Sequence, residues 1–138
     1  MVQTSIHIIR SIDTDDFLIE FRSDEIVKVT FKENMVLDVP LQEKLYELLA
    51  QICEGKKYGF IFDAKDNVII TKEARENATR LEKNSSSFAS AAIATSLPYR
   101  LIANFYLKFN KPGIPFKIFK KEEEAIVWLS KQAKKNKK

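Results

Sequence analysis

The opening part of the chain, up to Val39, alternates between apolar and polar positions with a period of two. Phe17 and Phe21 face one way while Glu20 and Arg22 face the other, as successive residues of a strand do. Four strands bounded by turn-forming residues are predicted, over positions 5–12, 17–21, 26–31 and 35–39. Their short links predict antiparallel hairpins with one face buried and the other in water.

After Val39 the apolar positions repeat with the period of a helix. The apolar stripe from Leu41 to Ile52 predicts a first helix, which Gly55 is placed to end. Further helices are predicted over residues 72–84, 99–109 and 121–134, and further strands over residues 58–62, 68–70, 89–95 and 116–119. Strands that alternate with helices of this length form a parallel βαβ core. We therefore predict a single α/β domain, with antiparallel N-terminal hairpins, a parallel core and about four flanking helices.

Basic residues are concentrated at the end of the chain. Residues 131–138 hold five Lys and no acid, whereas residues 1–130 hold 18 basic and 19 acidic side chains. We interpret residues 1–130 as the domain and residues 131–138 as a solvated, Lys-rich C-terminal tail. Because the domain itself is close to neutral, no nucleic-acid partner is expected.

The composition excludes several kinds of chemistry. One Cys and one His among 138 residues exclude an internal disulfide framework and a Cys/His metal cluster. Three glycines do not suffice for a Gly-rich phosphate-binding loop, and no Gly-x-Ser-x-Gly motif accompanies the single histidine. Cys53 ends the apolar stripe of the first helix and is expected in the core. We therefore expect no catalytic residue, no metal and no cofactor, and interpret the protein as not an enzyme.

The sequence also bears on location. No stretch is long and apolar enough to predict a transmembrane segment. The first residues lack the basic and apolar regions of a secretory leader. A cytoplasmic protein is therefore expected.

The predicted helix over residues 99–109 is apolar around most of its circumference. Its polar residues occupy an arc of about 80°, although a helix on a sheet needs an apolar stripe of only a little over 100°. The surplus must be covered by the helix that carries Trp128, by a second subunit, by an apolar ligand or by a membrane surface. The residues that would form this interface or hold such a ligand are Leu101, Phe105, Tyr106, Leu107 and Phe109.

Three segments carry a resemblance to a known fold family. They are IFDAKDNVIITKEAR at 61–75, AAIATSLPYRLIANFYLKFNKPGIPFKIF at 91–119 and EEEAIVWL at 122–129. The most specific positions are Phe119, Glu124-Ala125 and Trp128-Leu129. From Asp16 to Leu129 the chain resembles bacterial proteins of unknown function with STAS-like domains, the fold of anti-sigma-factor antagonists, which in turn resembles the Sec14 lipid-binding domains. The resemblance implies a mixed sheet with flanking helices and an interaction or ligand-sensing role.

The resemblance also implies a place for the site. In the antagonists a strand ends in an Asp, and a Ser or Thr at the start of the next helix is phosphorylated. Asp63 and Thr71 match these placements, which makes Thr71 a possible phosphosite, but the Asp-Ser-Ser-Gly-like sequence is absent. Ordinary N-capping of a helix explains Thr71 without any kinase and is the favoured interpretation. Ligands and partners of α/β sheets dock at the carboxyl ends of the strands, which here would gather Asp63, Lys65, Thr71, Ser96, Tyr99 and Arg100.

These observations favour two functions over a third, an enzyme that would have to work with Asp, Glu, Lys or Tyr alone. The first is a non-enzymatic STAS-like interaction or regulatory module that associates with itself or with a protein partner. The alternative is a carrier of a lipid or another small apolar ligand, which would touch a membrane surface reversibly through the helix over residues 99–109 and the Lys-rich tail.

Overall fold

The computed structural model of the chain describes residues 6–65, 67–82, 85–94 and 113–136. The predicted helix over residues 99–109, with its proposed interface, lies outside these ranges. So do three of the predicted binding residues, Ser96, Tyr99 and Arg100.

Most of the described strands form one mixed sheet. The strands are β1 (Ile8–Asp13), β2 (Phe17–Arg22), β3 (Ile26–Phe31), β4 (Val36–Leu37), β5 (Tyr58–Ala64), β6 (Ile69–Ile70), β7 (Ser87–Ile93) and β8 (Phe116–Phe119). The six-stranded sheet has the order β1-β2-β3-β5-β7-β8. Strands β1, β2 and β3 pair antiparallel, whereas β3, β5, β7 and β8 pair parallel. The predicted mixed α/β sheet, antiparallel at its N-terminal edge, is therefore confirmed.

The predicted hairpin between the third and fourth strands is wrong. Strand β4 pairs instead with β6, in a separate two-stranded parallel sheet in which Val36 lies opposite Ile69. A tight turn after β3 reverses the chain, with Asn34 in the left-handed region (φ 66°) and the Met35 N–H donating to the Lys32 carbonyl at 3.2 Å. Strand β4 ends at Leu37, immediately before the helix cap Asp38, so it is too short to return along β3.

Helix α1 (Val39–Cys53) covers one face of the six-stranded sheet. It begins where the Asp38 carboxylate accepts a hydrogen bond from the Leu41 N–H at 3.0 Å, and it ends at Glu54, which adopts a left-handed backbone with φ 51°. Its buried side chains pack on Phe60 of β5 and on the apolar face that the period of two predicted: Phe17, Ile19, Phe21, Val27 and Val29.

Helix α2 (Lys72–Leu81) lies beside α1 on the same face of the sheet. The two helices meet at Gln42 of α1, whose buried amide donates to the Ala74 carbonyl at 2.7 Å and accepts from Asn77 Nδ2 at 2.9 Å. Ala74 is fully buried, so its small side chain permits this close approach. The contact between α1 and α2 is therefore partly polar, and its hydrogen bonds are satisfied.

Helix α3 (Glu122–Asn136) covers the opposite face. Ala125 and Leu129 are buried there in one cluster with strand residues that include Ile61. Gly59 of β5 favours this close approach, because a Cβ there would lie 3.3 Å from Leu129 Cδ2, which is tighter than ordinary contact. The described residues thus place two helices on one face and one helix on the other.

Arg22 departs from the prediction for the opening strands. The sequence predicted that the face opposite Phe17 and Phe21 is in water. Arg22 lies on that face, yet it is only 8% exposed. The prediction is wrong for this residue because the first turn of α3 lies against it, as the contacts of Glu122 show.

Candidate functional site

A pair of charged side chains joins the sheet to the start of α3 near the carboxyl ends of the parallel strands. Asp63, close to the end of β5, lies opposite Thr30 of β3 and Ile93 of β7. Lys28 of β3 extends along the same face, and its Nζ lies 2.7 Å from Glu122 Oε1 and 4.0 Å from Asp63 Oδ2. Lys28 therefore bridges two carboxylates, one from the sheet and one from the helix.

The same contacts continue toward the amino end of the sheet. Arg22 Nη1 lies 3.4 Å from Glu122 Oε2, and the other side of the guanidinium makes two bonds to Asp24, at 2.6 Å and 3.2 Å. Charges of opposite sign thus alternate along a row that we call the charge chain, consisting of Asp63, Lys28, Glu122, Arg22 and Asp24. It crosses β5, β3 and β2 under the first turn of α3.

The protonation of Glu122 follows from this environment. Burial alone would raise the pKa of its carboxyl group, but hydrogen bonds and charges from Lys28 and Arg22 outweigh burial and lower the pKa below its ordinary value. Burial likewise opposes the charge of Arg22, but Asp24 and Glu122 raise its pKa. Glu122 and Arg22 therefore both stay ionised and form an ion pair. Glu122 does not serve as a proton donor.

Of the sequence-predicted site residues, Asp63 and Thr71 lie on opposite faces of the sheet. Asp63 faces α3, whereas Thr71 begins α2, beside α1. The Thr71 hydroxyl accepts from the Ala74 N–H at 3.1 Å, and the Thr71 N–H donates to the Leu37 carbonyl at 3.0 Å. Thr71 is thus an N-cap tied to β4. Lys65 is exposed beyond β5, and its N–H donates to the Phe31 carbonyl at 2.9 Å.

A second feature of this end of the molecule is an exposed apolar surface on the two-stranded sheet. Val36 is 48% exposed, its partner Ile69 is 58% exposed, and Ile70 is 37% exposed. We call these three residues the apolar ridge. It immediately precedes Thr71 and the N-terminus of α2. The sequence pattern did not reveal it, because positions 35–39 and 68–70 were predicted as ordinary strands of the main sheet.

Cys53 is a core residue, as predicted. Its side chain is buried at the end of α1, and burial raises the pKa of the thiol to about 11, against a hydrogen bond to Ser86 and the charge of Arg10. The thiol therefore stays protonated near neutral pH. A buried neutral thiol is a poor nucleophile.

The remaining candidates for chemistry are few within the described ranges. No three His, Cys, Asp or Glu side chains are grouped there as a metal site requires. A shallow cleft opens between the amino ends of β3 and β5 and the second half of α3, where Glu25, Lys57 and Ser130 surround a floor that includes Ile26 and Leu129. None of the described helices is long and apolar enough to cross a membrane.

Comparison with known proteins gives the family. Residues 19–133 match the family model described as a domain of unknown function, DUF7793. The chain belongs to this family. A search of curated proteins found no match for this DUF7793 chain.

One solved structure confirms the fold. It is an uncharacterised protein of the DUF3478 family with a SpoIIAA-like fold from Shewanella loihica PV-4, with 16% identity, a TM-score of 0.56, and 94% of the DUF7793 chain and 98% of that chain covered. Another, a protein with unknown function from Arthrobacter sp. FB24, has 20% identity over 81% of this chain and 97% of that one, at a TM-score of 0.29. The first likeness confirms the STAS-like fold and shows the fold alone.

Proposed function

We propose that this DUF7793 domain is a non-enzymatic interaction module that binds a protein partner at the apolar ridge. The observation that carries the proposal is the exposure of the cross-strand partners Val36 and Ile69, followed in the chain by the less exposed Ile70. Single exposed apolar residues are common on soluble proteins, but adjacent ones are typical of contact surfaces. Covering them removes apolar area from water, worth about 25 cal/mol per Å².

The position of the ridge supports the same proposal. It lies where the chain leaves the carboxyl ends of β3 and β5, on the segments that lead into α1 and α2. Partners and ligands of α/β sheets commonly dock at this end. Hydrogen bonds hold the backbone of the ridge in place. The Ile69 N–H donates to the Met35 carbonyl at 3.0 Å, and Arg75 Nη1 donates to the Ile70 carbonyl at 2.6 Å. The ridge is therefore presented on a fixed backbone.

The charge chain supports a role without catalysis. An acid or base catalyst needs a pKa near the working pH and a path to a substrate. Glu122 is held ionised by Lys28 and Arg22, and Lys28 in turn is shared with Asp63. These side chains are used to hold α3 on the sheet.

A regulatory role is best supported at Thr71, at the end of the ridge. A phosphate on its hydroxyl would sit at the N-terminus of α2 beside Lys72 and Arg75, and it would also meet Glu73. It would displace the hydroxyl from its bond to the Ala74 N–H. We propose that such a modification would change the ridge locally, since Thr71 is bonded to Leu37 of β4.

Photo-crosslinking in cells that produce the protein tests the binding role. A photoreactive residue is placed at Ile69 and, as a matched control, at Val127, which is 57% exposed on α3. We expect a discrete adduct from position 69, absent from position 127, that is lost when Val36→Lys is added, because Val36 lies directly opposite Ile69. An adduct of twice the chain mass would identify a second copy at the ridge. Equal adducts at both positions, or none at position 69, would contradict the proposal.

A further inference from the structure

The outermost strand of the sheet carries a second exposed apolar segment. Ile6, which precedes β1, is 53% exposed, and the first two residues of β1, Ile8 and Ile9, are 49% and 53% exposed. We call residues 6–9 the edge segment. Among the residues that the structure describes, strand β1 pairs with β2 alone, and it is the first strand in the sheet order. The edge segment therefore combines apolar side chains with the free edge of a sheet.

The backbone of the edge segment is oriented for pairing. The His7 N–H donates to Ser23 Oγ at 3.0 Å, and the His7 carbonyl accepts from the Ser23 N–H at 2.9 Å, so both groups point toward β2. In an antiparallel pair, alternate residues direct their backbone groups to opposite sides. Ile6 and Ile8 therefore direct their N–H and carbonyl groups to the open edge.

The two edges of the sheet differ in how they are protected. Natural edge strands usually avoid pairing with other chains by carrying lysine or proline. Strand β8, at the other end of the sheet, follows this rule, with Pro115 before it, exposed Lys117 within it and Lys120 after it. The edge segment carries neither. Its first charged neighbour is Arg10, beyond the irregularity in register between Ile8 and Arg10.

We propose that the edge segment pairs with the edge segment of a second copy of this chain. With His7 on the two-fold axis, Ile6 of each copy lies directly opposite Ile8 of the other, and both residues use the backbone groups that β2 leaves free. Directly opposite side chains share one face, so four isoleucines meet in one row. The contact is isologous and places no charge opposite a like charge.

Several features favour a second copy over another partner. The segment is short and self-complementary in the antiparallel direction, so the same three residues, Ile6, His7 and Ile8, supply both sides. The irregularity after Ile8 bends the strand before Arg10, which keeps the two arginines out of the paired region. Such a contact is smaller than a standard interface, so we expect a reversible dimer rather than an obligate one. The ridge on β4 and β6 is a separate surface, and neither proposal depends on the other.

Sedimentation velocity over a range of concentrations tests the dimer. We expect a reversible dimer with a Kd below about 0.5 mM. Ile8→Lys should convert this dimer to a monomer, whereas Val127→Lys should leave it unchanged. Thermal unfolding and far-UV circular dichroism of each variant establish that it is folded. If Ile8→Lys does not fold, Ile6→Lys replaces it, since Ile6 precedes β1 and is more exposed. A wild-type chain that stays monomeric, or a folded lysine variant that still dimerises, would overturn the proposal.

Cysteine pairs test the register. Residues directly opposite each other in the pairs we propose have Cα atoms about 5.5 Å apart, within the range of a disulfide. A mixture of Ile6→Cys and Ile8→Cys chains should therefore form an oxidised heterodimer faster than either variant alone. Buried Cys53 should not compete. Faster crosslinking of Ile8→Cys with itself would reject His7 as the axis.

Discussion

Lys28 Nζ and Glu122 Oε1 lie 2.7 Å apart, joining the middle of β3 to the first residue of α3. Residues far apart in the sequence are thereby fixed across one face of the sheet. The apolar part of the same contact lies further along the helix, at Ala125 and Leu129. The ion pair therefore fixes the start of α3, while apolar packing holds its middle.

The first prediction concerns Glu122. Changing Glu122→Gln removes the central negative charge of the charge chain and leaves Lys28 and Arg22 facing a neutral amide. We expect the free energy of unfolding to fall by about 1 kcal/mol, less than for a fully buried pair because the side chain is one-third exposed. Urea unfolding measures the loss.

Glu123→Gln is the matched control for that prediction. Glu123 is exposed in the same first turn of α3 and has the same relation to the helix dipole. It should change the free energy of unfolding by no more than a few tenths of a kcal/mol. Equal losses in the two variants would show that the dipole, and not the contact with Lys28, accounts for the effect of Glu122.

The second prediction is a pH dependence. The pKa of Glu122 is lowered on folding from its ordinary value of 4.5, so the unfolded chain takes up this proton more readily than the folded chain. The stabilisation is therefore complete above pH 4.5 and is lost as the pH falls through the folded pKa. The difference in unfolding free energy between wild type and Glu122→Gln should shrink from ~pH 6 to ~pH 3. A difference that stays constant over this range would refute the assignment.

The sequence predicts those strands and helices that are long enough for the spacing of their apolar residues to be recognised. Strands β3 and β8 have the predicted bounds, and α1 lies where its apolar stripe placed it, because each buries a regular set of positions. Strands β4 and β6 have two residues each, which is too short to show a period. Their pairing depends on where the turn at Asn34 sends the chain.

The candidate site is harder to predict for a related reason. Burial of Arg22 depends on Glu122, which is distant in the sequence. An arginine in a strand of alternating pattern ordinarily marks the solvent-exposed face of the sheet. Glu122 itself was interpreted only as an acidic residue at the positive end of a helix. Nothing local to either residue indicates the partner, so the contact becomes visible only once α3 is placed on the sheet.

The third prediction concerns the cap of α2. Thr71→Ala removes the oxygen that accepts from the Ala74 N–H, so we expect the free energy of unfolding to fall by about 1 kcal/mol. Thr71→Ser keeps the oxygen and should retain most of the stability. Urea unfolding of the three chains distinguishes the two effects. An equal loss in both variants would attribute the stability to the threonine methyl group instead of to the cap.

The fourth prediction concerns the contact between the end of α2 and the segment that leads into β8. Glu82 Oε1 accepts a hydrogen bond from the Ile114 N–H at 2.7 Å, and a Cβ at Gly113 would lie 2.9 Å from the same oxygen. A carboxylate bond to a backbone N–H is charge-assisted, so Glu82→Ala should lower the free energy of unfolding by about 1.5–3 kcal/mol. Glu82→Gln keeps an acceptor oxygen and should lose less.

Gly113→Ala tests the same contact from the other side. In the wild-type background the new methyl group displaces the Glu82 carboxylate and weakens its bond to Ile114, so the free energy of unfolding should fall. In the Glu82→Ala background the obstructing oxygen is gone, and the same substitution should cost little or nothing. The two losses are therefore less than additive, which a double-mutant cycle by urea unfolding measures directly. Additive losses would show that Gly113 is required for a reason other than the approach of Glu82.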